Sequence, residues 1–367
     1  MGSHTGGRAA YASSGCNNAR PVEWFVLAVA LLVILLGSQL FTNGVEWVGD
    51  RYGLTEGVIG SVLAAIGTAL PETLLPLIAI IAGGAVSGKE IGVGAIIGAP
   101  LMLSTLAMFV LAVALVGFAR TRGRGTRMLA EPRVIRQDLG FFLVLFAVGV
   151  GAGLVDNRPV KWVVAAFLVC SYVVYVRRHV KAAGEAEVES EAAGTLDPLY
   201  LLAWFRRLSG RGGEAAGPPS VAASIGQTVL ALALIIGAAR VFVGAVERLD
   251  HVLQIPSLVF SLLIAPIATE LPEQMNGVIW VGRRKDTLAF GNVTGAMVFQ
   301  ASFPVTVGLL LTPWKLTQDG LVAAVVALVA AAWLYVAVRL LRTLPAWLLG
   351  LQVLLYGGYL VYVLTRL

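Results

Sequence analysis

Charge is scarce in this 367-residue chain: Asp, Glu, Lys and Arg together make up 13% of it, about half the share usual in a soluble domain. Apolar residues make up 58%, and the mean hydropathy is +0.84. A water-soluble domain of this composition could not cover its own surface, so that class is excluded. Cysteine is scarce too. Cys16 stands in an N-terminal tail and Cys170 in an apolar run, which gives neither a disulfide framework nor a thiolate metal spacing. The histidines, His4, His179 and His251, are scattered over tail and loops, which argues against a zinc centre. No Gly-x-x-x-x-Gly-Lys-Ser/Thr stretch occurs, so no nucleotide partner is expected and energy should come from ion gradients. No Ser/His, His-Glu-x-x-His or paired-Asp arrangement lies inside the apolar runs, which leaves an intramembrane hydrolase unsupported. The net charge is +6, yet the basic residues sit in short loops between apolar runs. That is a signature of membrane orientation, and nucleic acid is set aside as a partner.

What the chain has instead is length of apolar run. Such runs lie at 22–42, 55–82, 91–118, 139–155, 160–177, 221–244, 255–281, 287–311, 319–340 and 344–365. A bilayer span needs roughly 20 apolar residues, so the pattern predicts an all-α polytopic membrane protein of about ten transmembrane helices. Residues 1–21 read as a disordered tail. Residues 178–220 form a polar linker that divides the chain into 22–177 and 221–367, with five runs on each side. Within the linker, Leu199–Leu208 reads either as a short amphipathic helix on the membrane surface or as an ordinary folded loop. Arg120, Arg122, Arg124, Arg127, Arg133 and Arg136 follow the third run, and Arg177-Arg178 follow the fifth. Arg283-Arg284-Lys285 and then Arg339 and Arg342 follow the seventh and ninth. These alternate loops would be cytoplasmic, with both termini outside a plasma or bacterial inner membrane. Five spans per half is an odd number, so the halves enter the bilayer with opposite polarity and form an inverted-topology repeat. Lys89, Glu90, Asp156, Lys161 and Asp250 fall at span ends and read as solvated.

Two carboxylates interrupt this pattern in matching surroundings. The first lies in Ile66-Gly67-Thr68-Ala69-Leu70-Pro71-Glu72-Thr73, the second in Ile267-Ala268-Thr269-Glu270-Leu271-Pro272-Glu273-Gln274. A charge at membrane depth is costly and points to function, and interrupted helices at corresponding positions of two halves point to a transport site. A glycine-rich helix start follows each motif, Gly94-Ala95-Ile96-Ile97-Gly98-Ala99 and Gly291-Asn292-Val293-Thr294-Gly295-Ala296. The ends of the first and sixth runs match as well, Gly37 to Glu46 against Gly237 to Val246.

These motifs, repeated in inverted halves of five, resemble the cation/calcium antiporter superfamily and in particular its sodium/calcium exchangers. The resemblance covers the membrane portion, about 22–365. It implies that Glu72 and Glu273 meet at the midplane and ligate the transported cation, and that the first and sixth helices slide against the core. The chemistry agrees. A hard cation takes several oxygen ligands, which carboxylates, the Thr68 and Thr269 hydroxyls and carbonyls freed by Pro71 and Pro272 could supply. The departures also matter. Ala69, Ala99 and Ala296 stand where the family carries serines, Leu103 where it carries a polar residue, and Gln300 at a ligand position. Against these losses stands Glu270, three residues before Glu273, which adds a third carboxylate to the site or a steering charge to its vestibule. Gln39, Asn43, Gln227 and Asn276 are weaker candidates, the first three better read as interhelical hydrogen-bonding groups. The expected metal-ligating set is therefore Glu72, Glu273, Thr68, Thr269, Glu270 and Gln300. The expected function is secondary antiport of calcium for sodium, with no resident cofactor, no enzymatic activity, and a monomer sufficient. Proton coupling to a divalent or other cation, or a sensor that binds a cation without moving it, are the alternatives.

Overall fold

A computed structural model of the chain describes residues 7–51, 70–83, 87–123, 125–186, 197–209, 218–253, 257–341 and 343–366. Among them, eight helices are long and apolar enough to cross a bilayer: Val22–Val45, Gly88–Gly117, Pro132–Ala152, Arg158–Arg178, Val221–Leu249, Asp286–Leu311, Gln318–Leu340 and Ala346–Leu364. The protein is thus an all-helical, multi-pass membrane protein. Large side chains such as Phe25, Val163, Val229, Leu340 and Leu354 point outward, where a bilayer and not water receives them. The other two apolar runs expected from the sequence form shorter helices. One is α2 (Leu70–Ala82), upstream of which 52–69 lie outside the described residues. The other is the pair α10 (Ser257–Thr269) and α11 (Leu271–Gly282), which meet at Glu270.

The first helix, α1 (Gly7–Arg51), begins well upstream of the expected span. Helix propagation costs little once a long apolar segment has nucleated it, and the alanines around Tyr11 do not oppose it. Its long-range partner is α9 (Val221–Leu253), against which it packs lengthwise. A Cβ on Gly37 would fall 2.8 Å from Ile235, and one on Gly44 2.4 Å from the Thr228 hydroxyl, so these positions set how closely the two helices approach.

The third span consists of α3 (Ser87–Met102), a π-helical turn (Leu103–Ala107) and α4 (Met108–Gly117), with a short α5 (Ala119–Arg122) after it. Next come α6 (Pro132–Ala152) and α7 (Arg158–Ala186). Helix α6 starts seven residues before the expected run because Glu131 caps it, accepting from Arg133 N, and Pro132 suits its first turn. That early start carries Asp138 into the interior, where it accepts hydrogen bonds from Tyr175 Oη (3.1 Å) and Thr294 Oγ1 (2.7 Å). In the linker, Tyr200–Leu208 is helical (α8), with Trp204, Phe205 and Leu208 exposed. Helices α12 (Asp286–Leu311), α13 (Gln318–Leu340), α14 (Ala346–Gly350) and α15 (Gln352–Leu364) complete the chain. A two-residue antiparallel ladder pairs β1 (Arg127–Met128) with β2 (Leu344–Pro345).

Two basic residues expected in solvent are buried instead. Lys161 is 2% exposed, its Nζ donating to the Pro313 carbonyl at 2.5 Å. Arg122 is paired with Asp286, and Leu129 N also donates to that carboxylate at 2.8 Å. Buried charges persist where a carboxylate or carbonyl takes the place of water, and no run of sequence announces such a partner. Asp156 is solvated as expected; a hydrogen bond from Lys315 Nζ (2.8 Å) holds its carboxyl below the ordinary range.

The interior divides into two apolar clusters. One gathers side chains of α1, α2 and α9, among them Ile34, Leu75, Ile235 and Phe242, with Ile91 and Ala95 of α3 and Ala265 of α10 at its border. The other joins α3, α4, α6, α7, α12, α13 and the C-terminal helices. The α1–α9 pair therefore packs through a cluster it shares chiefly with α2, apart from the larger core.

Candidate functional site

The site is built where helices are interrupted. Helix α10 stops at Thr269, and Glu270 takes φ −91° and ψ 0° before α11 begins. The break is a bend within a continuing ladder, since Glu270 N donates to the Pro266 carbonyl (3.1 Å) and Gln274 N to the Glu270 carbonyl (3.0 Å). Pro272, in the first turn of α11, has no N–H, so the Ala268 carbonyl lacks its helical donor. Each of the other four helices or helix halves at this place also carries an internal proline: Pro76 in α2, Pro100 in α3, Pro266 in α10 and Pro304 in α12. Each takes away the helical N–H that would reach the carbonyl four residues earlier, at Glu72, Ile96, Leu262 and Gln300. Two of those four residues are themselves expected ligands.

Glu72 sits in the first turn of α2, where the helix dipole favours a carboxylate, and is 6% exposed. Glu270 is completely buried, which places it inside the protein and not on an open vestibule. Thr269 is 3% exposed, and its hydroxyl donates back to the Ala265 carbonyl at 3.1 Å, so only its lone pairs remain to be offered. Gln300 is completely buried in α12, and neither atom of its amide has a hydrogen-bond partner among the described residues. Thr68 and the side chains of Glu273 and Asn276 lie outside the described residues, as does Ala69.

Packing brings the described members toward one another. Helix α2 lies on α3 and α12, α10 lies on α3, and α11 lies on α12. The α3–α10 contact is close because α3 offers glycine. A Cβ at Gly94 would come within 2.4 Å of the Leu258 carbonyl, and one at Gly98 within 2.2 Å of the Leu262 carbonyl. The corresponding glycines of the second half differ: Gly291 has open space beside it, and Gly295 meets only Tyr175 Oη at 3.5 Å. Among the described residues no three His, Cys, Asp or Glu side chains come together.

At the bend itself, one polar residue escaped the sequence reading. Gln274 is 4% exposed, and both of its amide atoms lack a hydrogen-bond partner among the described residues. Its position four residues after Glu270, on the same helical face, was the available signal. A second feature had none. Ser104 and Thr105 lie in the π-helical turn after Pro100, where Ser104 Oγ donates to the Pro100 carbonyl at 2.7 Å and Thr105 to the Leu101 carbonyl. Their protons are spent on the helix, and Leu103 and Ala99 are buried apolar positions beside them.

Buried amides normally fill their hydrogen-bonding capacity, so Gln300 and Gln274, which do not, on helices that pack with those carrying Glu72 and Glu270 and several proline-freed carbonyls, offer oxygens of the kind a hard cation takes. Comparison with known proteins agrees on the family. The fold superimposes on the crystal structure of an H+/Ca2+ exchanger, CAX, with a TM-score of 0.68 over 92% of this chain and 82% of that one, at 14% identity. It superimposes on the sodium–calcium exchanger NCX_Mj with a TM-score of 0.54 over 92% of this chain and 97% of that one, at 19% identity. The inner membrane protein YrbG of Escherichia coli is 24% identical over 344 residues, 92% of this chain and 94% of its own. The family described as "Sodium/calcium exchanger protein" matches residues 22–179 and 223–366, nearly all of the membrane portion, and the chain belongs to that family.

Proposed function

We propose that this protein is a secondary active antiporter that moves calcium across the membrane by alternating access, in exchange for sodium or protons. The observation that carries the reading is the pairing of buried Glu72 and Glu270 on interrupted helices with the unspent amides of Gln300 and Gln274. Glu273 completes the ligand set by its match to Glu72, and Thr68 and Thr269 add hydroxyl oxygens. The transmembrane part is read as ten segments in two inverted-topology repeats, 22–177 and 221–367, joined by a cytoplasmic linker at 178–220. Both termini then face outward from a plasma or inner membrane. The protein works as a transporter and not as an enzyme, with inorganic cations as its partners, no resident cofactor, and a single chain sufficient.

Motion is assigned to the α1–α9 pair. Its packing supports this, because the pair contributes none of the described side chains of the larger core and meets the remainder through α2 and a few residues of α3 and α10. As it slides, the lining residues of α2, α3, α10, α11 and α12 would open to one side and then the other.

A specific observation favours protons as the counter-ion. Sodium needs neutral oxygens, and here serines are replaced by Ala99 and Ala296 while Ser104 and Thr105 turn to their own helix. Glu270 adds a completely buried carboxylate that could exchange a proton for the metal. The deciding measurement is calcium uptake into proteoliposomes of the purified protein, under an imposed sodium gradient and separately under a pH gradient, with Glu72→Gln and Glu273→Gln in parallel. Uptake under either gradient that both substitutions abolish supports the antiporter and names the counter-ion. Calcium binding without flux under any gradient would make the protein a sensor and overturn the reading.

A further inference from the structure

On the bilayer-facing side of the bundle, α6 and α7 enclose an open groove of about 450 Å³ that plays no part in the site above. Its two ends differ in chemistry. Arg136 near the start of α6 and Arg178 toward the end of α7 line one end, so the antiparallel helices bring both guanidinium groups to the same boundary of the membrane portion. The wall running inward from them is Gly140 and Val144 on α6 and Ser171 and Phe167 on α7. From Arg136 to Val144 is about 12 Å along a helix and from Arg178 to Phe167 about 16 Å, close to the depth of one leaflet of a roughly 30 Å hydrocarbon core.

Both arginines are exposed, and neither is ion-paired among the described residues. Arg136 Nε is tied to the Pro132 carbonyl at 3.1 Å, and the Arg178 guanidinium lies over the Phe141 ring at 5.8 Å, so each is held at the groove mouth. Among the described residues no acidic side chain lines the groove. Gly140 leaves its floor open: a Cβ there would meet only Tyr335, at 3.8 Å. Lipid fills any such furrow in a bilayer, and two unpaired arginines at its mouth select among lipids by head-group charge.

We propose that the α6–α7 groove is a binding site for an anionic phospholipid, its phosphate held between Arg136 and Arg178 and one acyl chain lying along Gly140 and Val144. Neither the identity of the transported ion nor the direction of transport enters this assignment. A phospholipid satisfies both ends of the groove at once, whereas a soluble anion would use only the mouth and leave the apolar wall unoccupied. With each basic residue near a membrane surface contributing about fivefold, the pair should prefer an anionic over a zwitterionic head group by at least ~10-fold.

The test is native mass spectrometry of the delipidated full-length protein, titrated with phosphatidylglycerol, with phosphatidylcholine of the same chains, and with glycerol phosphate. Retention of phosphatidylglycerol at least tenfold above phosphatidylcholine, with no displacement by glycerol phosphate, is expected. Arg136→Gln with Arg178→Gln should remove the preference, and Arg136→Lys with Arg178→Lys should keep most of it. Gly140→Leu, whose side chain enters the groove and leaves both arginines in place, should weaken retention of both lipids. Equal retention of the two lipids by the unaltered protein would overturn the proposal, as would a preference that survives the double glutamine substitution or retention that Gly140→Leu leaves unchanged. Displacement by glycerol phosphate would assign the arginines to a soluble anion instead.

Discussion

Asn43 and Gln227 join the two helices that carry the proposed motion: the Gln227 amide donates to Asn43 Oδ1 at 2.9 Å and to the Leu40 carbonyl at 2.9 Å. The same pair secures the linker. Tyr200 N donates to Asn43 Oδ1 (3.0 Å) and Leu201 N to Gln227 Oε1 (2.9 Å), so two polar side chains satisfy the first amides of α8. The Asn43 amide and the Trp47 indole return donors to the Asp197 carbonyl, at 3.3 and 2.9 Å. A helix with exposed Trp204, Phe205 and Leu208 is thereby fastened to the ends of α1 and α9.

Both amides are nearly inaccessible, and removing either breaks their mutual bond and takes the acceptor from an α8 amide, Tyr200 N for Asn43 and Leu201 N for Gln227. Asn43→Ala or Gln227→Ala should each cost about 1–3 kcal/mol, the penalty for a buried group left unsatisfied. The double substitution should cost less than the sum of the two, since each single substitution already loses the Asn43–Gln227 hydrogen bond that the double loses only once. Thermal unfolding of the four proteins in the same detergent gives the cycle. Additive losses would mean that the pair does not act as a unit.

The buried ion pair of Arg122 and Asp286 holds the short helix after the third span to the start of α12, with side chains 0% and 1% exposed. Breaking one partner leaves an uncompensated charge in a dry place, so Asp286→Asn should destabilise by about 3–5 kcal/mol. Replacing both, as Arg122→Met with Asp286→Leu, should recover much of that loss, because two apolar side chains leave no charge behind. A double variant no more stable than Asp286→Asn would show that the Leu129 amide bond to Asp286, and not the pair, secures this corner.

Glycine spacing gives a third expectation, in which the two halves should behave differently. Gly98→Ala puts a Cβ 2.2 Å from the Leu262 carbonyl, so α3 and α10 must separate, at a cost of about 1–3 kcal/mol for overpacking. Gly291→Ala meets nothing within 4 Å and relieves the entropic penalty of a helical glycine, so it should stabilise by roughly 0.5–1 kcal/mol. Opposite shifts in melting temperature are the readout. Shifts of the same sign would mean the close approach is absent.

Much of this architecture is legible in sequence because the bilayer enforces it. Span positions follow from apolar length, and the bend at Glu270 follows from Pro272 beside a carboxylate. The outward-facing residues follow from the same polarity argument. What was not legible depends on partners remote in the chain. Lys161 looks solvated until Pro313 and Trp314, about 150 positions away, supply carbonyls, and Arg122 looks like an orientation signal until Asp286 arrives. The π-helical turn at Leu103–Ala107 carries no composition of its own. Gln274 was hidden by standing next to the more conspicuous Glu273. Pro76 and Pro304 were readable as helix interruptions, but only the packing of α2 and α12 makes their freed carbonyls relevant to one place.

The counter-ion is where these residues make their sharpest claim. A divalent cation and protons compete for the same carboxylates, since a ligating carboxyl must be deprotonated. If Glu270 is the proton carrier, calcium uptake driven by a pH gradient should fall to the level of protein-free vesicles in Glu270→Gln, while calcium binding through Glu72 and Glu273 persists. In the unaltered protein, acidifying the side from which calcium enters should weaken uptake, and raising the pH there should strengthen it. Added hydroxyls should act the other way. Ala99→Ser together with Ala296→Ser restores neutral oxygens on α3 and α12, and should make calcium uptake responsive to an imposed sodium gradient. Flux assays on the same vesicle preparations separate these outcomes. Uptake that is driven by sodium in the unaltered protein and indifferent to Glu270→Gln would remove Glu270 from the exchange cycle and leave it as a fixed charge beside the cation.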